Sequence, residues 1–177
     1  MFVKIIVIGN SGSGKTWLAA KLAKTDNISV IHLDELFWEP GGFDKKRSKE
    51  TVLQLVKQSK ANYSWIVEGV FGELAELYMD QADFLIWLDV GWDICKKRLI
   101  QRGSESKRHM AREQSEEGLR KLVEWALHYY DRNDLRSHAG HKNLFKRFPR
   151  KKFYIQSVSE VNRIAECGLQ YTEKTNL

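Results

Sequence analysis

A chain of 177 residues, 42% of them hydrophobic, can bury one sizeable core but is too short for two full domains. No apolar run approaches the roughly 20 residues that a membrane helix needs. A start that runs directly into an apolar strand leaves no room for a secretory leader, and two distant cysteines make no disulfide framework, so a reducing cytoplasm is the expected compartment. The formal net charge of +6 is uneven: residues 1–95 hold 10 Lys/Arg against 13 Asp/Glu, whereas residues 96–152 hold 17 against 7. Such a basic stretch suits nucleotide phosphates, a polyanion such as DNA, or solvent alone.

The first predicted element is a strand over residues 2–8, apolar except for Lys4, as a strand buried on both faces requires. Gly9-Asn10-Ser11-Gly12-Ser13-Gly14-Lys15-Thr16 follows and fits the phosphate-binding pattern G-x-x-x-x-G-K-[ST] without a mismatch. Its glycines free the backbone to turn N–H groups inward around a phosphate chain. Lys15 is placed to reach the β- and γ-phosphates and Thr16 to offer a hydroxyl to Mg²⁺, while the next helix, residues 17–24, points its N-terminal dipole at the anion. The octet therefore reads as a site for ATP or another nucleoside triphosphate.

A second strand over residues 27–33 ends at Asp34-Glu35. At the carboxyl edge of a parallel sheet, Asp34 is expected to share a crevice with the phosphate loop; the alternative is a helix cap or a surface carboxylate. Residues 36–43, rich in aromatics and broken by Pro40, Gly41 and Gly42, read as an irregular bend. Trp38 and its neighbours either clasp a planar acceptor or form a packed lid hinge. Arg47 opens a helix over residues 48–60, and a third strand over residues 63–67 is closed by Glu68-Gly69. A carboxylate beside a glycine at a strand end can hold a water on Mg²⁺ or orient an acceptor. Asp89, after the fourth strand (residues 84–88), competes with Glu68 for that role.

Residues 91–102 read as a helix whose last turn carries Arg98 and Arg102 on one face. The polar, basic run that follows contains Arg108 and Arg112 and has the pattern of a lid, in which planar guanidinium groups neutralise a moving phosphoryl; the alternative is a solvated basic loop. Residues 113–134 are predicted as one long helix with an apolar stripe of Leu119, Leu122, Val123, Ala126 and Tyr130, and residues 136–152 as largely irregular. His138 and His141 lack the spacing of a helical zinc pair, and Cys95 and Cys167 read as buried, inert thiols. A fifth strand over residues 153–156 precedes a last helix capped by Ser157 or Ser159. Five strands alternating with helices predict a parallel sheet covered on both faces, an α/β three-layer fold in one domain over residues 1–177.

The phosphate loop, His32-Leu33-Asp34 with Phe37-Trp38 and Pro40-Gly41, and Arg98-x-x-x-Arg102 resemble the small P-loop proteins labelled DNA topology modulation proteins, relatives of adenylate kinase. The resemblance extends from residue 1 to about residue 165. It implies an adenylate-kinase-like core, an acceptor site near Asp34 and Arg47, and a short lid from about Arg102 to Arg112. It also favours Glu68 over Asp89 beside the metal, because Glu68-Gly69 stands where the family has Asp-Gly. Departures cluster around the acceptor: Gly42-Phe43 replaces the usual Trp, and Val70-Phe71-Gly72 replaces Asn-Tyr. The function expected is a Mg²⁺-dependent phosphotransferase acting on a small-molecule or nucleotide acceptor. A nucleotide-gated binder of DNA or protein and a plain NTPase are the alternatives. No helix-turn-helix, zinc finger or RNA-binding sheet signature accompanies the basic segment.

Overall fold

The computed structural model describes residues 3–26, 28–40, 45–103 and 112–169. The chain runs β1 (Lys4–Gly9), α1 (Lys15–Asp26), β2 (Ser29–His32), α2 (Leu33–Phe37), α3 (Lys49–Lys60), β3 (Trp65–Gly69), α4 (Gly72–Glu76), β4 (Phe84–Leu88), α5 (Trp92–Arg102), α6 (Arg112–Leu127), α7 (His138–Arg147), β5 (Lys151–Ile155) and α8 (Val158–Cys167). All five strands are parallel, in the order β2-β3-β1-β4-β5. The central strand β1 reads as an unbroken apolar run because both its faces are covered.

Alternation along the strands divides the core in two. Ile6, Ile8, Trp65, Val67, Leu85 and Trp87 pack on one face against α2, α3, α4 and α7. Ile5, Val7, Ile66, Ile86 and Leu88 pack on the other against Leu18 and Leu22 of α1 and Val161 and Ile164 of α8. The result is a three-layer α/β/α sandwich whose ligand-facing edge is the carboxyl ends of the strands. Side-chain caps start two helices: Ser48 accepts from Thr51 N–H at the start of α3, and Ser157, one of the two caps expected for the last helix, forms a capping box with Glu160 at the start of α8.

Several boundaries differ from the sequence reading, each for a physical reason. Strand β2 stops at His32 and the chain turns at once into α2, so Asp34 lies in a helix, and residues 36 and 37 are helical where the bend over residues 36–43 was expected to be irregular. Buried Leu33 packs against Gly69, where a Cβ would stand 2.7 Å from Leu33 Cβ, and that close approach favours the abrupt turn. Glu68 and Gly69 belong to β3 rather than following it. Helix α6 ends at Leu127, which removes Tyr130 from its apolar stripe; Tyr129 is fully buried in its place.

Residues 138–147 form α7, where an irregular stretch was expected. Its inward side is Gly140, His141 and Leu144, so two of its three buried residues carry no apolar signature. Cys95 is buried, and burial raises its thiol to about pKa 11, whereas Cys167 is exposed rather than buried.

Candidate functional site

The phosphate loop joins β1 to α1 with three glycines at positive φ: Gly9 at 151°, Gly12 at 81° and Gly14 at 101°. These angles strain any residue with a Cβ. A side chain on Gly9 would also overlap the Leu88 carbonyl, and one on Gly12 would stand 2.5 Å from the Cys95 carbonyl oxygen. Lys15 is buried and donates from Nζ to the Asn10 carbonyl at 2.8 Å. Asn10 is itself a junction. Its Oδ1 accepts from Ser11 N–H at 2.8 Å and its Nδ2 donates to the Ala126 carbonyl at 3.0 Å, tying the loop to the last turn of α6. Arg98 reaches from α5 to donate to the Ser13 carbonyl at 2.9 Å and lies beside Gly14.

At the mouth of the loop, Thr16 donates from Oγ1 to Glu68 Oε1 at 2.9 Å, and His32 donates from Nδ1 to the same oxygen at 2.6 Å. The strand register explains the second contact, because His32 of β2 is the partner of Glu68 in β3. Burial pushes the Glu68 carboxyl up, but the His32 hydrogen bond, the Lys15 charge and Thr16 outweigh it and hold the group below its ordinary value. His32 moves up, chiefly through its bond to Glu68. Asp34 also moves up, first through burial and then through the nearby Glu68 charge.

A hydroxyl and a low-pKa carboxylate side by side are the hard oxygen donors that suit Mg²⁺, which usually keeps several waters and phosphate oxygens of its own. Among the described residues no cluster of three or more His, Cys, Asp or Glu could hold a metal. Asp89 is occupied elsewhere: it accepts from Tyr130 Oη at 2.9 Å, Tyr154 Oη at 2.5 Å and His138 Nε2 at 3.1 Å.

The segment from Ala126 to His141, which the sequence reading left without a role, is fastened across the carboxyl edge of the sheet. His141 donates from Nε2 to the Val70 carbonyl at 3.0 Å, so its Nδ1 accepts from Tyr129 Oη at 2.7 Å, and Trp87 Nε1 donates to Tyr129 Oη at 3.1 Å. Full burial drives His141 down to about pKa 3, and it stays a neutral imidazole. Arg136 pairs through Nε at 2.7 Å and through Nη2 with Glu73 Oε1, with its guanidinium 4.4 Å from the Phe37 ring centroid and 4.3 Å from that of Phe71. Arg132 lies 3.8 Å over the Trp125 ring. Glu73, Arg132 and Arg136, given no role from the sequence, form no local motif; His32 stood in the His32-Leu33-Asp34 run, and strand register would have pointed to its partner Glu68.

Other predicted residues are placed as follows. Phe37 and Trp38 are half-buried and pack on each other and on the core. Trp38 bridges to Lys46, and Arg47 donates from Nε to the Glu35 carbonyl at 3.3 Å. Most of the expected lid lies outside the described residues, as do Arg108, the side chains of Arg102 and Arg112, and Gly41 to Phe43.

Structural comparison finds the same fold in shikimate kinase from Acinetobacter baumannii in complex with shikimate, at a TM-score of 0.55 and 15% identity, covering 100% of this chain and 96% of that one. The YorR protein of Bacillus subtilis, solved with phosphorylated GDP, aligns at a TM-score of 0.55 and 14% identity, covering 97% and 96% of the two chains. Shikimate kinase from Aquifex aeolicus aligns at 0.54 and 15%, covering 97% of each. Comparison with curated protein sequences returns no match. The family model AAA_18, described as an AAA domain, matches residues 5–120, well over half of the chain. By that match the chain belongs to the AAA domain family, and its fold is that of the P-loop kinases.

Proposed function

We propose that the protein is a Mg²⁺-dependent phosphotransferase that moves the γ-phosphoryl of ATP, or of another nucleoside triphosphate, to a hydroxyl of a small molecule or nucleotide. One observation carries the reading: the Thr16 hydroxyl and the buried Glu68 carboxylate meet at 2.9 Å beside a glycine loop that holds Lys15. Loop amides and Lys15 bind and orient the triphosphate. Thr16 and Glu68 would hold the magnesium, which supplies charge neutralisation at the phosphates when bound. Asp34, whose carboxyl burial shifts up from its ordinary value, accepts as a carboxylate the proton of the acceptor hydroxyl. Arg98 at the loop, with Arg102, Arg108 and Arg112 of the lid, stabilises the charge spread over the transferring group. Trp38, Arg47 and Gly69 bound the acceptor side. A single domain acting in the cytoplasm and related to the DNA topology modulation proteins fits this reading.

Several exposed cations of the basic segment are engaged by acceptors of the chain itself, which weighs against a DNA-binding role. Arg147 pairs with Glu76 at 2.6 Å, Arg150 donates to the Met79, Asp80 and Ala82 carbonyls, and Lys152 donates to the Lys146 and Phe148 carbonyls. The test is Lys15→Ala assayed with Mg-ATP and a panel of hydroxyl acceptors. Acceptor-dependent ADP formation is expected to fall by on the order of 10³-fold or more while circular dichroism stays native. A folded Lys15→Ala variant with undiminished turnover would remove the mechanism. Phosphate release without any acceptor would instead identify a hydrolase.

A further inference from the structure

Two donors converge on one oxygen of Glu68. Thr16 Oγ1 lies 2.9 Å from Oε1, and His32 Nδ1 lies 2.6 Å from the same atom. A carboxylate only accepts, so Nδ1 carries the hydrogen and the bond is charge-assisted. Both bonds fall on Oε1, and Oε2 is the oxygen they leave over. The Glu68 side chain is 6% exposed, whereas His32, at the end of the edge strand, keeps 31%.

The sheet explains why this donor comes from β2. Glu68 registers with His32 on one side and with Val7 of β1 on the other, and the Val7 side chain has no hydrogen to offer. An imidazole also has fewer free torsions than a glutamate arm, so it is the stiffer partner of the two. Of the two donors on Oε1, Thr16 is itself offered to the magnesium in the reading given above. His32 is the one for which the metal does not compete.

We propose that His32 is a positioning residue for the magnesium site: it fixes the Glu68 carboxylate from the neighbouring strand, so that the metal meets a ligand already in place. This role rests on the reading in which Thr16 and Glu68 hold the magnesium, and it reaches the metal through Glu68 alone. Outer partners that orient a metal ligand are typically worth about 10–100-fold in metal affinity.

The test needs no turnover. The β,γ-imido analogue of ATP is titrated calorimetrically into the full chain, once with excess Mg²⁺ and once with EDTA. The ratio of the two affinities is the advantage that magnesium confers. His32→Ala is expected to cut that advantage about tenfold while the affinity in EDTA stays within about twofold of the parent's. His32→Asn, whose amide N–H stands near the place of Nδ1–H, is expected to bring the advantage back to within about threefold of the parent's. If His32→Ala does not fold, His32→Leu, which fills the space of the ring without a donor, carries the same expectation. An unchanged advantage in the folded Ala or Leu variant overturns the proposal. So does an equal loss with and without Mg²⁺, which marks a merely structural role, and so does an Asn variant as weak as Ala or a parent with no advantage at all. The two readings fail separately. A parent with a magnesium advantage that phosphorylates no acceptor sinks the phosphotransferase and leaves His32 its place, whereas phosphoryl transfer by a protein whose magnesium advantage ignores His32 sinks the positioning role alone.

Discussion

The phosphate loop and the Ala126–His141 segment meet at Asn10 and Ala126, yet they are built on opposite principles. The loop is assembled from eight consecutive residues that work largely through local backbone geometry, with Asn10 to Ala126 and Thr16 to Glu68 as its own long-range side-chain contacts. The other segment acts through partners far away in sequence: Glu73 for Arg136, Val70 for His141, Asp89 for Tyr130 and His138. A ligand as uniform as a polyphosphate can be met by a contiguous motif. The Ala126–His141 segment is held by long-range pairing, and a change there is felt first as lost folding stability.

The contrast is broken most sharply at Gly140. By the helix rule, Ala in place of Gly inside α7 adds up to about 1 kcal/mol of stability. The packing says otherwise, since a Cβ there would overlap the Asp134 carbonyl and stand 2.6 Å from Leu135 Cα. Gly140→Ala is therefore expected to destabilise by about 2–3 kcal/mol, a drop in thermal midpoint of several degrees in a chain of this size. A variant as stable as the parent would mean that the segment can move away, and its tight fit would no longer separate it from the loop.

The same site explains what a linear reading of the chain reaches. The strand order of events, the glycine octet, the cap at Ser157 and the acid at Glu68 are signalled by neighbours within a few residues. Helix α7 is not, because Gly140 and His141 stand at buried positions where periodicity looks for aliphatic side chains. The end of α6 was misplaced for a related reason: Tyr130 continues the apolar spacing, but its hydroxyl is drawn to Asp89, and only the folded sheet brings that carboxylate there. Asp34 was displaced from a strand end into α2 because Gly69, on another strand, leaves room for Leu33. Within the Ala126–His141 segment, residue types were legible and pairings were not.

A titration sharpens the comparison next. His141 is held neutral, with its pKa depressed from 6.5 to about 3, so the unfolded chain binds its proton first as pH falls. Its contribution to stability is whole above about pH 6.5 and declines by about 1.4 kcal/mol per pH unit below that, until the folded state protonates as well. His32 acts in the opposite sense and in a different window. Its pKa is raised by Glu68, so its contribution is present below pH 6.5 and is lost as pH rises through the folded value. Denaturant unfolding at a series of pH values between 7 and 5 should show the decline in the parent and lose one proton's slope in His141→Gln. An unchanged slope in the folded variant would mean that His141 gains its proton without opening the segment.

The smallest effect belongs to Arg120, whose Nε and Nη2 both donate to Glu117 at 3.0 Å. On paper this pair matches Arg136 with Glu73: an arginine fork on one carboxylate. The surroundings differ, because the Arg120 and Glu117 side chains are 67% and 46% exposed, against 26% and 30% for Arg136 and Glu73. Water solvates both partners when the exposed pair is broken, and holding two long side chains together has an entropic cost that offsets the attraction. Arg120→Ala should leave the thermal midpoint unchanged within error at any salt concentration. A clear, salt-sensitive loss there would mean that ion pairs on this chain act through charge wherever they stand, and the burial of the Ala126–His141 pairings would no longer account for their importance.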